Sequence, residues 1–236
     1  MKKQRIELYD DGIGSVEYVD HMGSDLTIVN SARVSFGKQK MTMDKRDEKL
    51  IKYLIENRHT STLEHNVVTF RFCVPLFVRS QHHRHRTWSY NEISRRYTDA
   101  DIRFYQPSSL RTQHESNRQA SNNKEMIDPL MSYPRSIYPA MTATESIRTH
   151  NRASLELFNR LTSAGVCREQ ARGILPQNMY TEYYGTVNFN NLLKFIDLRS
   201  HSGAQLEIQK VANACEEIAL SLWPITMNSY REAKSE

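Results

Sequence analysis

The sequence predicts a domain that mixes α-helices with β-strands, and three observations carry that reading. Val68, Phe70, Phe72 and Val74 alternate with Thr69, Arg71 and Cys73, the period of two of a strand with one buried face. Leu50, Ile51, Leu54 and Ile55 fall on one helical stripe. Ile208, Val211, Cys215, Ile218 and Leu222 repeat at heptad-like spacing, as in a long packed helix. With 236 residues the chain can bury a sizeable core in a single domain spanning 1–236.

In chain order, Ile6 to Tyr9 and Ser15 to Val19 read as strands joined by a turn at Asp10-Asp11-Gly12, and strands and turns continue to about residue 40. Asp44 and Asp47 open the helix of Leu50 to Ile55, and Asn57, Arg58 and His59 close it. Pro75 ends the strand around Phe70 and starts a helix through Leu76, Phe77 and Val78. From Pro107 to His150 the chain is polar; Asn122-Asn123-Lys124, Pro129, Pro134-Arg135-Ser136 and Pro139 mark a loop or insertion centred on 120–150. A helix resumes from Asn151 through Leu155, Phe158 and Leu161 and ends at Gly165. Another covers Val166 to Leu175 and is cut by Pro176. Tyr183 to Phe189 reads as a strand, and Asn190 as the cap of a helix whose Leu192, Leu193, Ile196 and Leu198 face the core. Pro224 stops the last helix, and no internal repeat is visible.

Bulk properties exclude several classes. Cys73, Cys167 and Cys215 are far apart and never form CxxC, so neither a disulfide framework nor a zinc site is expected, and a reducing cytoplasm is the expected setting. No apolar run reaches membrane-spanning length, and Met1-Lys2-Lys3-Gln4 lacks the apolar core of a signal peptide. A net charge of +5 favours acidic ligands. His82, His83 and His85 invite a metal hypothesis, but adjacent helical positions point apart and no HExxH completes the ligand set, so no metal is expected.

The most informative stretch is Arg84 to Tyr97. It holds four arginines, a histidine, a glutamate and three aromatics. Cations this close repel unless an anion collects them, and arginine pairs bidentately with phosphate while stacking on flat rings. An anionic, aromatic ligand such as a nucleotide fits. A basic nucleic-acid-binding module would use the same features.

The spacing Arg84-His85-Arg86, Ser89, Ser94, Arg96 resembles the signature of the flavin-dependent thymidylate synthases, the ThyX family. His59-Thr60-Ser61-Thr62-Leu63-Glu64-His65 is similar to a second family pattern, with Ser61 in place of a threonine. Asn30 to Phe36, Arg172-Gly173-Ile174-Leu175-Pro176, Thr186-Val187-Asn188, Leu198-Arg199 and Gln205 to Gln209 follow in family order, so the resemblance covers most of 28–209 outside the polar stretch. Three positions depart from it: Asn190 where arginine is frequent, Lys194 where asparagine is, and Arg95 where glycine is usual.

The resemblance implies an α/β fold with a mixed sheet flanked by helices, in a homotetramer with shared active sites. It implies conversion of dUMP to dTMP with FAD, NADPH and methylenetetrahydrofolate, and with neither nucleic acid nor membrane as partner. The implied dUMP contacts are Gln81, His82, His83, Arg84, Glu92, Ser94, Arg95 (through its backbone), Arg96, Arg172 and Arg199, with Arg199 the catalytic residue. The implied flavin contacts are His59, Ser61, Glu64, Arg84, His85, Arg86, Glu92, Asn188, Asn190 and Lys194. Read as residues alone, His82 and His83 are helix surface. None of the cysteines has the Pro-Cys-His setting of classical thymidylate synthases, which fits hydride delivery by flavin without a thiolate nucleophile. A flavin- and folate-dependent methylase of uridine in RNA shares these features and stays open.

Overall fold

The structure is a computed structural model that describes residues 4–132 and 140–235. Strands β1 (Arg5–Glu7) and β2 (Ser15–Met22) pair across a turn in which the Asp11 carboxylate accepts from the backbone N–H groups of Ile13 and Gly14, at 2.9 and 3.0 Å. Helix α1 (Asp25–Arg33) then stands where the sequence predicts only strands and turns. Ser24 and Thr27 form its capping box, a signal the apolar pattern hides because only Ile28 and Val29 of its apolar side chains are buried. Helix α2 (Lys45–Glu56) opens as predicted, with the Asp44 carboxylate accepting from the N–H groups of Arg46 and Asp47. Buried Ile51 and Leu54 form its inner face.

The chain continues through β3 (Val67–Pro75), α3 (Leu76–His82), β4 (Ser89–Glu92), β5 (Leu110–Gln113), β6 (Ser121–Ile127), β7 (Leu130–Met131) and β8 (Met141–Thr142). It ends in α4 (Ala143–Ser163), α5 (Arg168–Ala171), β9 (Tyr180–Asn188), α6 (Phe189–Ser200), α7 (Leu206–Leu222) and α8 (Pro224–Ser235). The main sheet runs β1-β2-β3-β9-β4. Every neighbouring pair is antiparallel, so the expected mixed sheet is corrected to an antiparallel one. The reason lies in the connections. The excursion that leaves β3 at Pro75 re-enters β9 at Tyr180, its register partner, at the same end of the sheet.

Val68, Phe70, Phe72 and Val74 are fully buried on the helix side of β3, as their alternation predicts. On the other side Arg71 pairs with Glu182 at 2.5 Å and with Glu17 at 3.8 Å across three adjacent strands. Ile208, Val211, Cys215 and Ile218 of α7 are fully buried in the same core.

Several other expectations are corrected. The polar stretch is no simple loop: Asn122 to Lys124 lie in β6, which pairs with β5, and β7 pairs with β8. Pro134, Arg135, Ser136 and Pro139 lie outside the described residues. Helix α4 begins at Ala143 rather than near Asn151, with Thr142 and Glu145 as its capping box. The helix expected over Val166 to Leu175 is only α5 followed by a 3-10 turn, Arg172–Ile174. Asn188, not Asn190, caps α6, accepting from the Asn191 N–H at 2.9 Å. Leu198 is exposed, because six residues beyond Leu192 lies about 240° around a helix. Pro224 stops the helix of Ile208 to Leu222 as expected, but α7 is not the last helix, because Pro224 also starts α8. A proline at the first helical position gives up an N–H that would have no helical partner, and the next two N–H groups, of Ile225 and Thr226, donate to buried Asp25 at 3.2 and 3.0 Å.

Asp47 ties α1 to α2. Its buried carboxylate accepts from Arg33 and Lys40, both at 2.5 Å, and from the Asp44 N–H at 3.0 Å. Burial pushes its pKa up, but these donors outweigh burial and bring it from an ordinary 3.8 down to about 2. A depressed carboxyl pKa stabilises the fold above the unfolded value and loses that contribution as pH falls through the folded one. Thermal denaturation at pH 7 should therefore find Asp47→Asn less stable by about 2–3 kcal/mol. The gap to wild type should close between pH 4 and pH 2, and a gap independent of pH would contradict the ion-pair account.

Candidate active site

Helix α3 ends in a tight turn, with the N–H groups of His83, Arg84 and His85 bonded back to the carbonyls of Arg79, Gln81 and His82. The Tyr90 hydroxyl donates to the His82 and His85 carbonyls, at 3.0 and 3.2 Å, and so holds the turn against β4. Trp88 is buried over Gly185 of β9, where a Cβ would lie 2.8 Å from the Phe72 ring and 3.2 Å from Trp88. Only glycine lets this part of the motif settle so close to the sheet. Arg84 and Arg86 point outward and make no ion pair or hydrogen bond through their side chains among the described residues.

His82 corrects its helix-surface reading. It is fully buried, its Nδ1 lies 2.8 Å from the Tyr183 hydroxyl, and its ring meets Trp88 at 4.5 Å, Phe195 at 4.6 Å and Phe72 at 4.8 Å. Burial foremost, then the neighbouring His85, His83 and Arg199, hold it well below the ordinary histidine range. As a buried neutral ring it is a core residue whose side chain offers no surface to a ligand. His83 is half-buried, with its ring on Tyr90 at 4.1 Å, so it is not free helix surface either.

Arg199, in the last turn of α6, reaches back to this turn. Its Nε donates to His85 Nε2 at 3.0 Å and one Nη2 hydrogen to the Gln81 carbonyl at 3.1 Å. Two of the five guanidinium donors are thus used among the described residues, and the others are available. Burial lowers the pKa of Arg199. Burial, and after it the Arg199 charge, bring His85 from 6.5 to about 4, which keeps its Nε2 a neutral acceptor. Gln81, His85 and Arg199 therefore form one connected group.

Glu92 is held by a residue the sequence reading passed over. Arg79 donates to both its oxygens at 3.0 Å, and Thr181 donates to one at 2.7 Å. The buried Arg95 side chain turns inward and donates to the Ala100 carbonyl at 2.6 Å, so it is not free to reach a ligand. Arg96 pairs with Glu169 of α5 at 3.4 Å, and its N–H donates to the Ser94 hydroxyl at 3.3 Å. Exposed Arg172 begins the 3-10 turn just beyond α5. Among the described residues no bond joins this Ser94–Arg96 and Arg172 region to the Arg199 group.

Arg84, His85, Arg86 and Glu92 of the predicted flavin residues lie in this motif, and the other six gather elsewhere, where the 3-10 turn Thr60–Leu63 packs on α6. Asn190 is buried and donates to Glu64 at 2.8 Å. Asn188 caps α6, His59 stacks on Tyr53 at 5.8 Å, and Ser61 and Lys194 are exposed. Beside them a cavity of about 630 Å³ opens between α2, α6 and α8. Leu54, Leu63 and Leu193 give it apolar walls, and Arg58, Lys194, Lys234, Glu56 and Asp197 a charged rim in which Lys234 pairs with Asp197. Apolar walls with Arg58 and Lys194 at the rim suit a ring system that carries phosphates. Asn190 and Lys194, two of the family departures, both line it.

Sequence reasoning missed the buried carboxylate of Glu207. It accepts from Arg111 at 2.8 and 3.1 Å, from the Tyr105 hydroxyl at 3.2 Å and from Gln205 at 2.9 Å. Glu207 lies within the C-terminal block of the motif reading, but its partners Tyr105 and Arg111 are remote in sequence and carry no local signal.

The sequence matches the family described as Thymidylate synthase complementing protein, Thy1, over residues 17–225. A flavin-dependent thymidylate synthase of Kosmotoga olearia is 38% identical over 217 residues, covering 92% of this chain and 90% of that protein. The chain belongs to this family. A second member, the flavin-dependent thymidylate synthase of Thermus thermophilus, is 37% identical over 93% of the chain and 76% of its own length. Among solved structures, the UMP/dUMP methylase PolB of Streptomyces cacaoi, bound with 5-Br dUMP, superposes with a TM-score of 0.79 at 31% identity. The match covers 96% of this chain and 97% of that one.

The His85–Arg199 contact is testable by itself. NMR titration should find His85 half-protonated near pH 4 in the wild type. In Arg199→Ala the midpoint should rise towards the ordinary histidine value, because the repelling charge is gone while partial burial remains. An unmoved midpoint would show that Arg199 does not face the ring.

Proposed function

We propose that this family member is a flavin-dependent thymidylate synthase that converts dUMP to dTMP, the whole chain acting as one catalytic domain. The observation that carries this reading is the Gln81–His85–Arg199 group: a half-buried guanidinium fixed at two donors, near the exposed cations Arg84 and Arg86 of the same turn, whose side chains make no bond among the described residues. Such a guanidinium, set against the O2 and N3 edge of a uracil ring, favours the N3-ionised, electron-rich form, because preorganised charge is strong in a dry site. That answers the main chemical difficulty, the weak nucleophilicity of uracil C5. His85, neutral across physiological pH, accepts from Arg199 and keeps its plane fixed. Arg84, Arg96 and Arg172, with the Ser94-Arg95 backbone, hold the phosphate and ribose.

When bound, FAD supplies the hydride for reduction of the transferred carbon; NADPH and methylenetetrahydrofolate are the proposed co-substrates. His59, Ser61, Glu64, Asn188, Asn190 and Lys194 are the proposed flavin contacts, with His85, Arg86 and Glu92 at the junction with the nucleotide. A homotetramer is proposed because, among the described residues, Arg84 and Arg86 have no anionic partner and no bond joins the Ser94–Arg96 and Arg172 region to Arg199. A neighbouring subunit brings such surfaces together.

The thiols support the absence of a cysteine nucleophile. Burial pushes Cys73 up to about 11 and raises Cys215 as well, so neither readily forms thiolate. Cys167 lies exposed at the start of α5, away from Arg199.

A second reading has its own support: the superposing protein is a methylase of UMP as well as dUMP, and a companion structure of it holds 5-Br UMP. Relative kcat/KM for dUMP and UMP decides between deoxyribonucleotide and ribonucleotide as the preferred substrate.

The purified protein should be yellow and release tritium from 5-labelled dUMP only with folate and a reductant. A colourless preparation without this activity would sink the reading. Arg199→Ala should keep its flavin yet lose about a hundred- to thousandfold in turnover. Arg199→Lys should recover little, since an ammonium cannot supply a planar two-point contact. Alanine at Cys73, Cys167 or Cys215 should leave turnover within a few-fold of wild type. A folded, flavin-bound cysteine variant without activity would refute the mechanism.

A further inference from the structure

The Gln81 side chain is wired to a carboxylate it never touches. Its Nε2 donates to Gln205 Oε1 at 2.5 Å, and Gln205 Nε2 donates to Glu207 Oε2 at 2.9 Å. Arg111 and the Tyr105 hydroxyl also donate to Glu207, which is only 5% exposed. A carboxylate paired with a guanidinium only accepts, so its partner in Gln205 has to be the amide nitrogen. That turns the Gln205 carbonyl towards Gln81, which has to answer with its own nitrogen. The one group left over is the Gln81 side-chain oxygen, Oε1, which accepts no bond among the described residues; the bond from Arg199 goes to the Gln81 backbone carbonyl. Flipping either amide would set oxygen against oxygen or N–H against N–H inside a half-buried network, where a mismatched polar pair is costly.

We infer that Glu207 is a positioning residue: through Gln205 it fixes the Gln81 amide so that the site offers the side-chain carbonyl of Gln81, a residue whose backbone carbonyl Arg199 holds, as an acceptor to an O–H or N–H donor of the pyrimidine nucleotide. The inference rests on the proposed nucleotide site. It adds the direction of one hydrogen bond, and with it a means of selection. A nucleotide with a donor at that point is favoured, and one with a lone pair there is rejected. Glu207 acts only through Gln205, and its anchor Arg111 ties the β5–β6 hairpin into the same arrangement.

The relay has a polarity, and a polarity can be reversed. Gln81→Glu places an acceptor against the Gln205 carbonyl and should weaken dUMP binding. With Glu207→Gln also present, Gln205 can turn over, donate to the new carboxylate and accept from the new amide. The extra negative charge of Gln81→Glu repels the phosphate equally in both backgrounds and cancels in the comparison. Titration calorimetry of the flavin-loaded proteins with dUMP should therefore find the penalty of Gln81→Glu at least about tenfold smaller in the Glu207→Gln background. Equal penalties would overturn the relay.

Gln205→Met, which leaves the Glu207–Arg111 pair intact, keeps the test valid if Glu207→Gln does not fold. It should weaken dUMP binding by about five- to tenfold with an unchanged melting temperature. Unchanged affinity would overturn the relay. The donor is identified by two analogues in the wild type, the 3′-deoxy and the N3-methyl forms of dUMP. The one that lacks the recognised donor should lose affinity in wild type and be indifferent to Gln205→Met. If neither analogue behaves so, the relay is overturned. A wild-type protein that binds no dUMP would overturn the functional reading and this ligand with it, whereas dUMP binding with equal penalties overturns the relay alone.

Discussion

The contact on which the site depends is the bond between His82 and the Tyr183 hydroxyl inside the aromatic packing of Phe72, Trp88 and Phe195. Without an inward anchor, a turn dense in cations would swing into water, where each charge is best solvated. A neutral imidazole supplies that anchor because it is apolar enough to pack on rings and polar enough to bond a hydroxyl. Its burial joins the end of α3 to β9, and the Tyr90 hydroxyl locks the following carbonyls. What remains outside is the row of arginines.

Charge is distributed unevenly over that frame. Among the described residues Arg79, Arg95, Arg96 and Arg111 are all bonded to protein acceptors, while Arg84 and Arg86 are not. Arg199 lies between these cases, held at two donors and open at the others. A neutral His85 is the condition for this, since a protonated ring would repel the guanidinium instead of accepting from it. Arg79, Arg95 and Arg111 set geometry, whereas Arg84 and Arg86, and Arg96 through its exposed pair with Glu169, are the cations that the proposed nucleotide and flavin site offers to its ligands.

Local patterns in the chain were enough for β3, α2 and α7, because each repeats apolar residues at a clean period over two or more turns or strand pairs. They were also enough for the cationic motif, whose spacing is a local property. They were insufficient for α1, whose buried apolar residues are few, and for α8, whose first N–H groups are capped by Asp25 from the opposite end of the chain. Asn190 carries the ordinary marks of a helix cap, yet Asn188 takes that role and Asn190 turns to Glu64. Hydrophobic period and cap preference are weak evidence where one polar residue has two possible partners.

By itself, then, the sequence determined the mixture of helix and strand, the family signature and which residue types would meet an anion, because these follow from composition and short spacing. Only the tertiary structure decided that the sheet is antiparallel, that His82 is core and His85 neutral, and that Glu207 faces Arg111 and Gln205. Those outcomes depend on pairings across scores of residues and on burial. A side chain's protonation and hydrogen-bond direction are set by its surroundings in space, and neighbours along the chain do not specify them.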